Sequence, residues 1–304
     1  MKAKYVLIVA LGAMSFGMLS SFAKIAYTQG YSPAEVTFAQ AFLGAVVLWS
    51  WVFLKWIRTR KVNLKSARTL LLAGTCIGLS AYTYYLSVAY IPASLAIVLL
   101  MQITWMGLFL EWAVNKNKPS VYEILAVVFI LGGTVMASGL TDISASHISL
   151  TGVVLALASS VVYSLYILFT AKLGKDVPMQ EKSALMISGS ATTIFLMNMK
   201  SLVSSVHFDL GLLLWGLFLA VFGTVIPPVC FSVGMPKIGT GLSSILLTLE
   251  LPVAVFCANF ILNEELTIFQ IFGIVIMLVA IILLNLVKAR KKVATPDIAE
   301  VEHI

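Results

Sequence analysis

The chain has 304 residues, 60% hydrophobic and 11% charged, with a net charge of +7 and a mean hydropathy of +1.01. Soluble domains carry about 25% charged residues, so this composition excludes a soluble globular protein and points to an integral membrane one. The basic excess is scattered over short segments between apolar runs, which excludes a nucleic-acid-binding patch.

Ten apolar runs follow in chain order, each near the ~20 residues that a helix needs to cross a bilayer. They cover 5–23, 33–54, 69–89, 93–113, 121–140, 152–173, 183–199, 210–234, 239–262 and 267–287. The first is too long for the core of a signal peptide and leads straight into the second. With a cytoplasmic N-terminus, Lys24 and Lys200 are the only basic residues to fall outside. That positive-inside bias predicts ten spans with both termini cytoplasmic. Trp49, Trp51, Trp56 and Trp112 near inner ends, and Trp215 near an outer end, fit an aromatic belt. Lys24 is expected to snorkel to the outer headgroups. Cys76, Cys230 and Cys257 lie inside apolar runs as small buried hydrophobes, and His147, His207 and His303 do not cluster. No metal or cofactor is expected.

The runs repeat. Leu99-Leu100-Met101-Gln102 answers Leu247-Thr248-Leu249-Glu250 about 148 positions later, and Lys24 answers Lys172. Glu123-Ile124 answers Gln270-Ile271 at 147. The expected organisation is a first five-helix repeat over 1–147, a second over 148–290 and a polar cytoplasmic tail over 291–304. Five spans is an odd number, so the second copy enters from the opposite side. The basic loop Asn115-Lys116-Asn117-Lys118 and its acidic counterpart Asn263-Glu264-Glu265 carry the charges that this inversion requires. Inverted repeats place a substrate site near the midplane, where the copies meet.

Candidate residues come from polar positions within the spans. In span 1, Ala10, Ala13, Gly17 and Ser20 or Ser21 form a small-residue stripe suited to close helix packing, with Ser15 a cavity candidate. Gly74, Gly78, Tyr82, Tyr85 and Ala89 share a face of span 3. Gln102 and Trp105 lie one turn apart on span 4; Gln102 reads as a solute contact or an interhelical hydrogen bond, and Trp105 more as core packing than as a stacking surface for a solute. Span 6 aligns Gly152, Ala156, Ser159, Tyr163, Tyr166 and Thr170. Mid-depth tyrosines facing lipid would leave hydroxyls unpaired, so these faces predict a cavity wall. Pro227-Pro228, close after Thr224, interrupt span 8. On span 9, Thr240, Ser243, Leu247, Glu250, Ala254 and Cys257 form one stripe. Glu250 is the one acid near the middle of a span. A charge there costs roughly 2.5–3.5 kcal/mol on insertion scales. It reads either as a proton- or amine-binding carboxylate or as a partner for backbone groups freed by Pro252.

Tyr90-Ile91-Pro92-Ala93-Ser94-Leu95-Ala96, Leu249-Glu250-Leu251-Pro252-Val253 and Leu262-Asn263-Glu264-Glu265-Leu266-Thr267 resemble the EamA family of the drug/metabolite transporter superfamily. The resemblance spans essentially the whole chain. It departs at Gln102-Ile103-Thr104, where the family often has Glu-x-Pro, and at Phe38-Ala39-Gln40, where an arginine is common. It implies transport of small organic solutes. The expectation is an all-α transporter of the bacterial inner membrane, working by alternating access on an amino acid, related metabolite or drug. Export is the expected direction and protons the coupling ion. Gln102 and Glu250 would face each other across the cavity. No hydrolase, metalloprotease or phosphate-binding motif is present, so neither an enzyme nor an ATP-binding subunit is implied. A non-transporting receptor or scaffold, and a membrane-embedded lipid-acting enzyme, are the alternatives.

Overall fold

The computed structural model describes residues 2–64, 66–116, 118–138, 149–174, 176–204, 209–238 and 240–294. The three histidines, Lys65, Asn117, Lys175 and the tail beyond Ala294 lie outside them. Among the described residues the chain is all helical. In order come α1 (Lys2–Thr28), α2 (Pro33–Thr59), α3 (Ala67–Val88), α4 (Ala93–Leu100), α5 (Ile103–Asn115), α6 (Val121–Ala137), α7 (Leu150–Lys172), α8 (Met179–Ser204) and α9 (Leu210–Leu219). A π-helical segment (Ala220–Val225) joins α9 to α10 (Ile226–Ile238), and α11 (Thr240–Leu247), α12 (Glu250–Leu262) and α13 (Ile268–Ala294) complete the chain.

Seven stretches are long and apolar enough to cross a membrane. The remaining three predicted runs correspond to α6, which is apolar but short, to the broken pair α11 and α12, and to α8. That last helix has the length but is diluted by Ser183, Ser188, Ser190, Thr192, Thr193 and Asn198.

Local chemistry sets the helix starts. Ser32 with Glu35 opens α2 and Ser120 with Glu123 opens α6, both as capping boxes. Thr267 and Gln270 make the equivalent pair of bonds at α13. Asp209 caps α9 and also accepts the Tyr31 hydroxyl from the loop before α2 (2.8 Å).

The duplication is visible in the backbone. The pairs α4–α5 and α11–α12 have equal lengths, each with a two-residue break, and end on left-handed Lys116 and Asn263. The i→i−3 bonds from Gln102 to Leu99 and from Thr104 to Met101 recur from Leu249 to Leu246 and from Leu251 to Thr248. Every boundary within these two pairs repeats at an offset of 147. This corrects the pairing at 148: Gln102 answers Leu249, and Glu250 answers Ile103. Apolar sequence tolerates a one-residue slip, whereas a hydrogen-bonded break does not.

Glycines set the closest approaches. A Cβ at Gly74 would overlap the Met186 carbonyl, and one at Gly189 the Leu71 carbonyl, so α3 and α8 touch backbone to backbone. Gly78 meets Ser190 in the same contact. These two glycines of the span 3 face therefore pack helices, as small residues do in membranes. Gly133 of α6 meets Gly273 and Met277 of α13 in the same manner.

One charged knot ties the copies together. Pro92, at the cap position of α4, provides no side-chain cap. The Glu264 carboxylate, from the loop after α12, does so instead. It accepts bonds from Ala93 N (2.8 Å), Ser94 N (3.1 Å) and Ser94 Oγ (2.7 Å). It also pairs with Lys24 Nζ at 2.9 Å. Lys24 further donates to Ile91 O at 3.3 Å. Lys24 thus turns inward to protein partners, contrary to the snorkelling expectation, because a buried carboxylate and an orphan carbonyl lie within reach. Burial raises the Glu264 carboxyl pKa, but the bonds from Ser94, Ala93 and Lys24 outweigh it and hold the group below the usual glutamate range.

Two predictions follow from these contacts. Gly74→Ala and Gly189→Ala should each destabilise by about 1–3 kcal/mol, the cost of overpacking, as measured by unfolding in detergent. Gly107→Ala, with no neighbour within 4 Å of a new Cβ, should not destabilise. Equal effects at all three positions would refute the backbone contact. Because the folded Glu264 pKa is depressed, its stabilisation is fully present above the unfolded value of about 4.3 and is lost as pH falls through the folded value. Glu264→Gln should remove that component from a plot of unfolding midpoint against pH. An unchanged acid limb in the variant would rule it out.

Candidate functional site

The helix breaks and the π-helical segment border a cavity of about 530 Å³. Ile77, Ser80, Tyr84 and Tyr85 of α3 line it beside Ser159, Tyr163 and Tyr166 of the adjacent α7, the two helices being joined by a Ser80–Ser159 hydroxyl bond (3.0 Å). Thr37 and Gln40 of α2, Phe16 and Leu19 of α1, and Leu100 of α4 add to the wall. Gly223 and Thr224 of the π-helical segment, Pro228 and Phe231 of α10, and Glu250 of α12 complete that end. Along α8 the lining runs from Met179 and Lys182 to Ile194. The cavity therefore reaches the end of the bundle where α7 stops and α8 starts. The opposite end is packed: the Tyr27 hydroxyl donates to Tyr85 O (3.1 Å), and the Glu264 knot lies beyond it.

Three features give the cavity its chemistry. The Glu250 carboxylate has no ion pair or hydrogen bond among the described residues. Gln40 Oε1 and the Tyr84 hydroxyl, both buried at the wall, make no hydrogen bond of ordinary geometry there, although the Tyr85 and Ser20 hydroxyls lie near them. The Tyr163 and Tyr166 rings stack with centroids 5.7 Å apart and 6° between planes. Unmet acceptors and donors beside flat rings suit a solute with both polar groups and an apolar surface. Lys182 supplies a cation near the open end and donates to Leu173 O at 2.7 Å.

The break before Glu250 changes how that residue reads. Glu250 stands in the first turn of α12. The missing N–H of Pro252 falls where helices leave N–H groups orphaned anyway. No backbone bond to the Glu250 side chain is present among the described residues.

Of the other sequence candidates, Tyr85, Tyr163, Tyr166 and Thr224 line the cavity. Gln102 does not. It is 1% exposed and bonds to Val98 O (3.0 Å) and Thr134 Oγ1 (2.7 Å), while accepting Trp105 Nε1 (2.8 Å). Gln102 and Trp105 therefore form a packing network and do not face Glu250 across the cavity. Tyr82 packs against Ala41, Ala191 and Ile194. Ser243 is buried outside the lining, and Pro228 lines the wall where Pro227 does not. Ser15 donates to Phe222 O. In the i→i−5 register of the π-helical segment, where Ile226 N bonds Val221 O, the next donor would be Pro227. Proline has none, so Ser15 replaces it. Gly152 packs on Tyr90 and Ile91, so only the later part of the span 6 face reaches the cavity; the Thr170 side chain lies outside the described residues. Sequence reading missed Thr37, Gln40, Ser80, Tyr84 and Lys182. Lys182 was hidden among the topology-setting basic residues, and Tyr84 by its position off the Tyr82–Tyr85 face.

Two comparisons agree with this architecture. A family model described as the EamA-like transporter family matches twice, over residues 3–139 and 150–286. A solved structure, described only as the crystal structure of a protein, is 15% identical with a TM-score of 0.65, over 95% of this chain and 98% of that one. It shows a shared fold. No curated protein sequence matches the chain.

Gln102→Leu should cost about 0.6–2 kcal/mol of stability, the range for hydrogen bonds between membrane helices. The apparent affinity for a transported solute should not change. Detergent unfolding alongside uptake kinetics in proteoliposomes tests both, and a raised KM with native stability would return Gln102 to the site.

Proposed function

The chain belongs to the EamA-like transporter family of the drug/metabolite transporter superfamily, and from that premise we propose that it is a secondary transporter working by alternating access. The chain is a multi-pass integral membrane protein of a family that moves small solutes. Its two matched copies correspond to two five-helix repeats, over 1–147 and 148–290, followed by a polar tail. We read them as inverted, with ten spans and cytoplasmic termini, in the bacterial inner membrane. The substrate is a small organic solute such as an amino acid, a related metabolite or a drug, and export is the direction. On that topology the cavity, reaching the end where α8 starts, opens inward.

The observation that carries the reading is the Glu250 carboxylate. It faces a cavity built from both copies and has no protein partner among the described residues. An acid at membrane depth persists where it meets a cation, a proton or water. Glu250 is the candidate for proton coupling or for binding a substrate amine, with Tyr85, Tyr163, Tyr166 and Thr224 shaping the pocket. A scaffold whose helices only pack has no use for an unpaired carboxylate in a cavity.

Solute flux in proteoliposomes, with and without a pH gradient, tests this. Glu250→Gln should abolish acceleration by the gradient if the group carries the proton. It should raise KM while keeping the pH response if the group binds an amine. Native flux and native pH dependence in the variant would eliminate both roles.

A further inference from the structure

A second concavity lies on the outer surface of the bundle between α2 and α8, with a volume of about 690 Å³. Phe42, Val46, Trp49 and Phe53 line one side, and Ser188 and Thr192 the other. Its polar groups are already engaged. Ser50, also in the lining, donates to Val46 O, and Thr192 to Ser188 O, both at 2.8 Å. Ser188 donates to Ala184 O and accepts Trp49 Nε1, again at 2.8 Å. The groove thus offers apolar contact and no unmet hydrogen bond. From Phe42 to Phe53 it follows about 16 Å of helix at 1.5 Å per residue.

Its end is charged. The Phe53 ring meets Trp56 with centroids 5.7 Å apart. The Arg60 guanidinium lies 5.1 Å over the Trp56 ring. Arg58 is exposed but lies on the far face of α2, about 160° round the helix from the groove. Lys55 is already paired with Glu181 (2.7 Å), so Arg60 is the cation held at the groove's end.

We infer that this groove is a binding site for an anionic phospholipid, with an acyl chain along α2 and α8 and the phosphate at Arg60. An acyl chain needs length and apolar contact, which the groove provides. A zwitterionic lipid would fit the groove equally and also carries a phosphate, but with no net charge it gains less from the guanidinium group. A second protein copy would need no anionic group at that end.

Native mass spectrometry of the purified protein, supplied with equimolar dioleoyl phosphatidylglycerol and phosphatidylcholine, tests the site. The native protein should retain phosphatidylglycerol over phosphatidylcholine by about five-fold, the scale expected of one basic contact at a membrane surface. Arg60→Gln should bring the ratio near parity. Val46→Trp fills the groove from a position that is 46% exposed, and it should lose retained lipid of either headgroup. Circular dichroism checks that both variants stay helical. Equal retention of the two lipids by the native protein, or native phosphatidylglycerol retention in either variant, overturns the site. So does a stable dimer that Val46→Trp dissociates without changing lipid retention. None of these readouts depends on what the central cavity carries.

Discussion

A helix interrupted inside an apolar medium leaves backbone carbonyls that water cannot reach, and something in the protein must satisfy them. Among the described residues three such interruptions border the cavity, two of them met by hydroxyls and the third by close packing. At the break between α4 and α5, Ser160 of α7 donates to Leu99 O (2.7 Å) and Ser164 to Ile103 O (3.3 Å). At the π-helical segment, Ser15 of α1 donates to Phe222 O. At the break between α11 and α12, Gly17 of α1 brings its Cα against Glu250 O, where no Cβ would fit. The hydroxyls and the missing side chain draw α1 and α7 against the broken helices. Leu100, Gly223, Thr224 and Glu250, beside the interruptions, become parts of one wall.

The end away from the cavity mouth depends on the same principle applied to N–H groups. Helix α4 starts after a proline with no capping side chain, in a crowded region where Ala93 and Ser94 are buried. Glu264 supplies the acceptors across the boundary between the repeats, and Lys24 balances its charge. A carboxylate at a helix N-terminus is favoured by the dipole as well as by the bonds. Opening this end would therefore expose the start of α4 and separate an ion pair at once, which makes the knot the natural resistance to movement there.

Much of the architecture could be read from the sequence, because apolar run length and repeat composition carry it directly. The duplication, the helix order and the membrane class rest on dozens of residues each. What escaped was decided by single atoms. The repeat register slipped by one between Gln102 and Glu250, since Leu-rich segments match themselves nearly as well at 148 as at 147. Gln102 read as a site residue because an amide at mid-span is costly without partners. One partner, Trp105, is local, but Thr134 is apparent only once α6 packs against α4. Glu264 read only as part of an acidic loop marking the inversion, because loop position and charge say nothing about a helix start more than a hundred residues earlier. Ser160 and Ser164 passed as ordinary small residues, since nothing local announces a carbonyl in need on another helix.

The corrected register also relocates the difference between the halves. At an offset of 147, Ala13 and Gly17 of α1 correspond to Ser160 and Ser164 of α7. The first break is thus closed by hydroxyls that leave its backbone satisfied, with apolar Ile103 where the second copy has Glu250. The second break is closed by backbone contact at Gly17, which contributes no donor. Glu250 then begins α12 at the wall of the cavity. The asymmetry that matters is consequently not a glutamine facing a glutamate. It lies in two matched helix breaks, one sealed by serines and the other carrying a carboxylate that a proton, a cation or a substrate must answer.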